Sequence, residues 1–141
     1  MTRVAFVCVQ NAGRSQMATA FAERERDRRE LDDLEVRSGG THPADAVHDV
    51  VIEVMREEGI DLSGNVPGEI TDEELERCDY VATMGCSTLS LGADVEVRDW
   101  DLDDPHGADP EEARRIREEV RERVASLFDE LEAADATRTE G

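Results

Sequence analysis

The chain has 141 residues, 38% of them hydrophobic, which suits one domain built on a single core. Its 36 acidic residues face 16 basic ones, all Arg, for a net charge of −20; that balance argues against nucleic acid and anionic membranes as partners and suits a halophile's molar salt, where the Debye length is about 3 Å. No apolar run approaches the ~18 residues of a membrane span, no signal peptide opens the chain, and three cysteines form no secreted disulfide framework, so the expectation is a cytoplasmic protein with at least one reactive thiol.

Val4 to Val9 is a continuous apolar run, V-A-F-V-C-V, suited to a central parallel strand buried on both faces. The polar turn Q-N-A-G-R-S follows. Ser15 is a good N-cap for a helix with Met17, Ala18, Phe21 and Ala22 on one face, continued by a solvated charged stretch from Glu23 to Glu30. Leu34 to Arg37 reads as a second strand, stopped by Gly39 and Gly40. Pro43 stands where a helix N1 proline would. Val47, Val50, Val51, Val54 and Met55 continue at helical spacing toward Gly59, a C-cap. Ile60 to Ile70 reads as loop, and Thr71 opens a short acidic helix ending near Arg77. Asp79 to Met84 is a third strand and Val95 to Arg98 a fourth. Beyond an acidic loop from Trp100 to Pro110, Ala113, Ile116, Val120, Val124, Leu127 and Leu131 mark one face of a long final helix. Strands alternate with helices throughout, which predicts an α/β fold around a parallel sheet of four strands. The domain spans residues 1–134, with a frayed acidic tail over 135–141.

The informative segment is Cys8-Val9-Gln10-Asn11-Ala12-Gly13-Arg14-Ser15. It joins a buried strand to a helix N-terminus, where ligands bind in such sheets. Successive N–H groups there wrap an oxyanion, and the helix dipole favours its charge. Arg14 adds a two-pronged clamp, Gly13 allows a close backbone approach, and the same environment favours a thiolate at Cys8. Ser15 can hydrogen-bond the sulfur. The bare spacing from Cys to Arg carries little in a chain this rich in Arg; the strand before it, the glycine inside it and the helix after it carry the reading. A buried structural cysteine is the competing one.

V-C-V-Q-N-A-G-R-S-Q-M-A resembles the signature of the low-molecular-weight tyrosine phosphatase fold, in its arsenate reductase branch. The likeness continues through V-R-S-G-G-T-H-P-A-D, E-V-M-R-E-E-G-I-D-L-S-G, D-Y-V-A-T-M-G-C and R-D-W-D-L-D-D-P, across nearly the whole chain. It implies a three-layer sandwich around a four-stranded parallel sheet in the order 2-1-3-4. It also implies reduction of arsenate to arsenite, in which Cys8 attacks the oxyanion, Asp104 (the residue before Pro105) protonates the leaving oxygen, and Cys86 attacks the Cys8 sulfur to release arsenite and leave a Cys8–Cys86 disulfide. Cys78 reads as structural.

No bound cofactor is implied; the electrons come from an external thiol or a redoxin, a thioredoxin or glutaredoxin-like protein. Many thioredoxin-coupled relatives carry a third cysteine followed by Pro, and this chain has Ser90 there. Either a redoxin reduces Cys8–Cys86 directly, or a small thiol completes the cycle. His42, His48 and His106 show no metal-ligand spacing; the first two read as helix-flanking, and His106 as a residue of the site entrance. Two rivals stay open. One is a phosphatase that hydrolyses a phosphocysteine with the same Cys8, Arg14 and Asp104, although Asp104-Pro105 is followed by His106-Gly107 rather than the aromatic residues such phosphatases place there. The other is a non-catalytic oxyanion-binding regulator.

Overall fold

The apolar N-terminal run becomes an interior strand of the sheet. In the computed structural model, which describes residues 2–84, 95–103, 105 and 107–140 (the last seven as backbone only), the elements are β1 (Thr2–Cys8), α1 (Arg14–Arg28), β2 (Leu34–Gly40), α2 (Asp49–Arg56), α3 (Asp72–Glu76), β3 (Tyr80–Met84), β4 (Glu96–Asp99) and α4 (Pro110–Glu140). All strand pairings are parallel, in the order β2-β1-β3-β4, the order the resemblance implied. Cys8 ends β1 opposite Gly40 on one side and Met84 on the other.

Alternation along β1 divides the core into two. Val4, Phe6 and Cys8 face the layer that carries Met17 and Phe21 of α1, Met55 of α2, and Ile116, Val124 and Phe128 of α4. Ala5 and Val7 face a smaller layer with Ile70, Leu75, Cys78, Val81 and Val95. Both faces are dry, which is why β1 reads as an unbroken apolar run rather than an alternating one. The Phe6 and Trp100 rings meet at 5.7 Å, anchoring the segment that follows β4. Among the described residues no helix is long and apolar enough to cross a membrane.

Several boundaries differ from the sequence expectation, each for a packing reason. Gly39 and Gly40 do not stop β2; they pair with Val7 and Cys8. A Cβ on Gly39 would fall 2.3 Å from the Ile70 Cβ, and one on Gly40 would fall 2.6 Å from the Val9 carbonyl oxygen. These glycines serve close approach rather than a turn. Pro43 opens no helix: α2 starts at Asp49, with His48 before it. Ser15 is not a cap, since Gly13 precedes the first helical residue and Ser15 lies inside α1, fully buried.

Gly59 does close α2, at φ +76°, with the paired bonds Gly59 N–H to Arg56 O (3.0 Å) and Ile60 N–H to Met55 O (3.1 Å). Thr71 caps α3 by accepting from Glu74 N–H at 3.2 Å. Pro110, expected in the acidic loop, is the first residue of α4, behind Asp109, whose carboxylate accepts from Glu112 N–H at 2.8 Å. The backbone of α4 is helical through Glu140, across the boundary expected at 134.

Ion pairs lace the outer surface. Glu57, beyond α2, accepts from Arg114 at 2.7 Å and Arg117 at 2.8 Å, both on α4. These guanidiniums, Arg114 first, hold the Glu57 carboxyl down to about 2 from an ordinary 4.5. Arg29 at the end of α1 reaches Asp129 of α4 at 3.0 Å. The net charge of −20 already counts every Arg, so these pairs leave it undiminished. The melting temperature should therefore rise by on the order of 10 °C between low and molar KCl, as a few kcal/mol of self-repulsion is screened. A thermal melt followed by circular dichroism across that salt range checks this, and a flat curve would remove the salt adaptation.

Candidate active site

β1 delivers Cys8, 3% exposed, to the point where the chain turns into α1. Between them the loop carbonyls are all engaged from outside. Cys8 O accepts from Thr41 N–H (3.2 Å), Val9 O from His42 N–H (2.7 Å), Gln10 O from Ala44 N–H (2.9 Å), Ala12 O from His48 N–H (3.0 Å) and Gly13 O from Met17 N–H (3.0 Å). Asn11 O accepts from the Gln16 side-chain amide at 3.0 Å. In a trans peptide the C=O of one residue and the N–H of the next point in opposite directions. Carbonyls turned outward therefore turn the N–H groups of Val9 to Arg14 inward, around one small space. Asn11 obeys the rule visibly, its N–H lying 3.2 Å from the Cys8 Sγ. The result is a nest of N–H groups at the N-terminus of α1, a geometry suited to an anion.

The sulfur has a second neighbour, the Ser15 Oγ at 2.8 Å. The network is compatible with Ser15 as the donor of that bond. Gly68 N–H donates to Asn11 Oδ1 (3.0 Å), which identifies the other end of the Asn11 amide as its NH₂ group. That group donates to Ser15 Oγ (2.8 Å) and to Ser38 Oγ (2.7 Å). Ser15 already accepts from Asn11, so its own hydroxyl hydrogen is available to point at Cys8. The sulfur thus has a hydroxyl and an amide N–H in contact with it.

Asn11 holds this together at φ +52°, left-handed backbone that an L residue other than glycine rarely adopts. Its N–H, C=O and both ends of its side-chain amide are bonded. The sequence reading included Asn11 only as one loop amide and missed its partners Gln16, Ser38 and Gly68. Gly68 lies 57 residues away and Ser38 lies 27 away, so no local signal marks them.

Arg14 is buried at the start of α1, and one of its Nη groups donates to Leu102 O at 3.0 Å. Pro105 seats on Gly13, so closely that a Cβ there would fall 2.7 Å from the Pro105 Cγ. The segment that carries the expected acid is thereby tied to the oxyanion loop twice. Asp104 itself, with His106, Cys86 and Ser90, lies outside the described residues. Asp103 pairs with Arg115 at 2.7 Å. Cys78 is remote from the loop; it donates weakly to Glu74 O at 3.6 Å, and burial pushes its thiol up from the ordinary 9.0, which fits the structural role expected of it. His48 flanks α2 as expected, and its ring also stands against the loop, with Cδ2 3.6 Å from a Cβ placed on Gly13. His42 contributes its backbone N–H to Val9. Among the described residues no group of three or more His, Cys, Asp or Glu is placed to hold a metal ion.

This loop, on this sheet, defines a class. Residues 3–137 match the model of the low molecular weight phosphotyrosine protein phosphatase family, and the chain belongs to that family. A protein of Halobacterium salinarum, named provisionally as an arsenate reductase, is 62% identical over 136 residues, covering 95% of this chain and 96% of its own. The glutaredoxin arsenate reductase of Synechocystis is 35% identical over 133 residues, covering 91% of this chain and 97% of its own. Among solved structures, a thioredoxin-dependent arsenate reductase of Corynebacterium glutamicum superposes with a TM-score of 0.80 at 33% identity, over 95% of this chain and 63% of that one.

Gly13→Ala tests the seat of Pro105. The added methyl overpacks a ring that has no flexible end to yield, at a cost of about 1–3 kcal/mol in stability. Displacement of the acid-bearing segment should lower kcat/KM by about ten- to a hundredfold while the protein stays folded. Wild-type turnover in a folded Gly13→Ala protein would mean that the Pro105 contact does not position the acid.

Proposed function

We propose that the chain reduces arsenate to arsenite, with Cys8 as nucleophile. The observation that carries this reading is the Cys8 Sγ at the floor of a loop whose carbonyls all point outward, with Ser15 and the Asn11 N–H on the sulfur. The choice of arsenate is supported by the names of the relatives and by His106-Gly107 in place of aromatic residues after Asp104-Pro105.

In this mechanism the inward N–H groups and Arg14 hold the tetrahedral oxyanion. The Cys8 thiolate attacks arsenic, a sulfur–arsenic bond forms, and one oxygen leaves as water with a proton from Asp104. The Cys86 thiolate then attacks the Cys8 sulfur. A disulfide forms, the sulfur–arsenic bond breaks, and its electron pair stays on arsenic, which leaves as arsenite in the lower oxidation state. The two electrons have come from the two thiols. An external thiol or a redoxin of the thioredoxin or glutaredoxin type returns them, with no cofactor bound to the chain.

Two expected outcomes follow from this assignment. Asp104→Asn should slow turnover by about a hundredfold or more, and Asp103→Asn much less, since Asp103 is engaged by Arg115. Equal losses in steady-state kinetics would place the acid on the wrong residue.

Cys86→Ser separates reduction from hydrolysis. A phosphatase on the same loop would use water in its second step and leave Cys86 idle. The substitution should abolish multiple-turnover arsenate reduction with a redoxin as donor, and leave any phosphoester hydrolysis near its original rate. Full redoxin-coupled reduction by Cys86→Ser would refute the resolving role.

A further inference from the structure

Of the six outward carbonyls from Cys8 to Gly13, five are held by main-chain N–H groups and one by a side chain. The exception is Asn11 O, held by Gln16. The Gln16 side chain is buried in the first turn of α1, and its Nε2 lies 3.0 Å from Asn11 O and 3.1 Å from Asn11 Oδ1. Its other end, Oε1, accepts from Asn65 Nδ2 at 3.1 Å. The Asn11 main-chain carbonyl can only accept, so it fixes which way the Gln16 amide faces, and the Asn65 bond agrees with it. A flipped Gln16 would set its oxygen against the Asn11 oxygens and its NH₂ against that of Asn65, two repulsions for two bonds.

We propose that Gln16 is a positioning residue for oxyanion binding: by holding the Asn11 carbonyl outside the loop, it aims the Ala12 N–H at the bound anion. The inference rests on the oxyanion-loop reading above. The peptide between Asn11 and Ala12 is rigid, so the direction of the Ala12 N–H is set by what holds the Asn11 carbonyl. Asn11 is also the strained residue of the loop, at φ +52°, and gains from relaxing if that hold is lost. The sulfur is served by other groups. The Asn11 N–H belongs to the preceding peptide, which is held through Gln10 O by Ala44, and the Ser15 hydroxyl is oriented through the Asn11 side chain, whose Oδ1 keeps its bond from Gly68 N–H when the one from Gln16 is lost. Gln16 therefore controls affinity for the anion and leaves the nucleophile as it was.

The two properties are measured separately. Inorganic phosphate, a tetrahedral oxyanion like arsenate, is titrated calorimetrically into the wild type, Gln16→Met and Asn65→Ala. The rate of Cys8 alkylation by iodoacetamide is followed in the same proteins without phosphate. Gln16→Met should weaken phosphate binding by tenfold or more and raise the arsenate KM in step. Its alkylation rate should stay within about twofold of wild type, because no bond to the sulfur changes. Asn65→Ala, at an exposed loop position, should weaken binding in the same direction by a smaller factor. A folded Gln16→Met protein that binds phosphate like wild type overturns the inference, as does an alkylation rate that falls in parallel with affinity, the mark of a general loosening of the loop. If Gln16→Met does not fold, unchanged phosphate affinity in Asn65→Ala overturns it. A wild type that binds no phosphate overturns the oxyanion-loop reading itself, and the inference with it.

Discussion

A loop that turns its main-chain N–H groups inward must find partners outside for its own carbonyl oxygens, and the architecture around Cys8 is organised by that need. Four of the six are taken by the segment from Thr41 to His48, which runs beside the loop as an outer rail. The rail can lie so close because β2 ends in Gly39-Gly40, where a side chain would strike Ile70 or the Val9 carbonyl. α1 itself takes the carbonyl of Gly13, and the Gln16 side chain takes that of Asn11. The strained φ of Asn11, a cost of about 1–2 kcal/mol, is offset by a complete set of hydrogen bonds on that residue. Sheet, rail and helix thus converge on one small volume of inward N–H groups.

This division explains what could and could not be read from the sequence. The apolar run of β1 and the helical spacing of α1 and α4 are local patterns, and they appear where expected. The loop between β1 and α1 was legible because its strand, glycine and helix are contiguous. Gly39-Gly40 was misread as a stop, since a glycine pair signals a turn unless one knows that Ile70 presses on it. Pro43 was misread as a helix start, since nothing local shows that the N–H groups of Thr41, His42 and Ala44 are committed to the loop carbonyls. Ser15 has the composition of a cap, but its hydroxyl faces Cys8 instead. Asp109-Pro110 was a readable helix start, hidden by the run of acidic residues before it. The strand order came from the family likeness, because periodicity carries no information about which strands are neighbours.

Charge acts on this site at two ranges with opposite sign. At long range the −20 net charge repels any anion that approaches the loop. At short range the inward N–H groups and Arg14 attract it. Salt separates the two. The far repulsion is screened over roughly 3 Å at 1 M, whereas donors in direct contact inside a buried loop are screened little. Ions that screen the acidic surface would therefore also ease the approach of an anion. Function and folding then favour the same conditions, although the residues that serve each are different.

The segment after β4 joins the site through contacts that are independent of the acid it carries. Trp100 packs on Phe6 in the core, Leu102 O receives the Arg14 guanidinium, and Pro105 rests on Gly13. Each contact places a different residue of one short stretch against a different element of the oxyanion loop or the strand beneath it. Arg14 tethers that segment directly, since its guanidinium donates to Leu102 O. A lysine at that position would supply charge but not the planar fork of a guanidinium. Arg14 and Gly13, both in the loop, thus hold Leu102 and Pro105 of one short segment, so loop and segment are mechanically one arrangement.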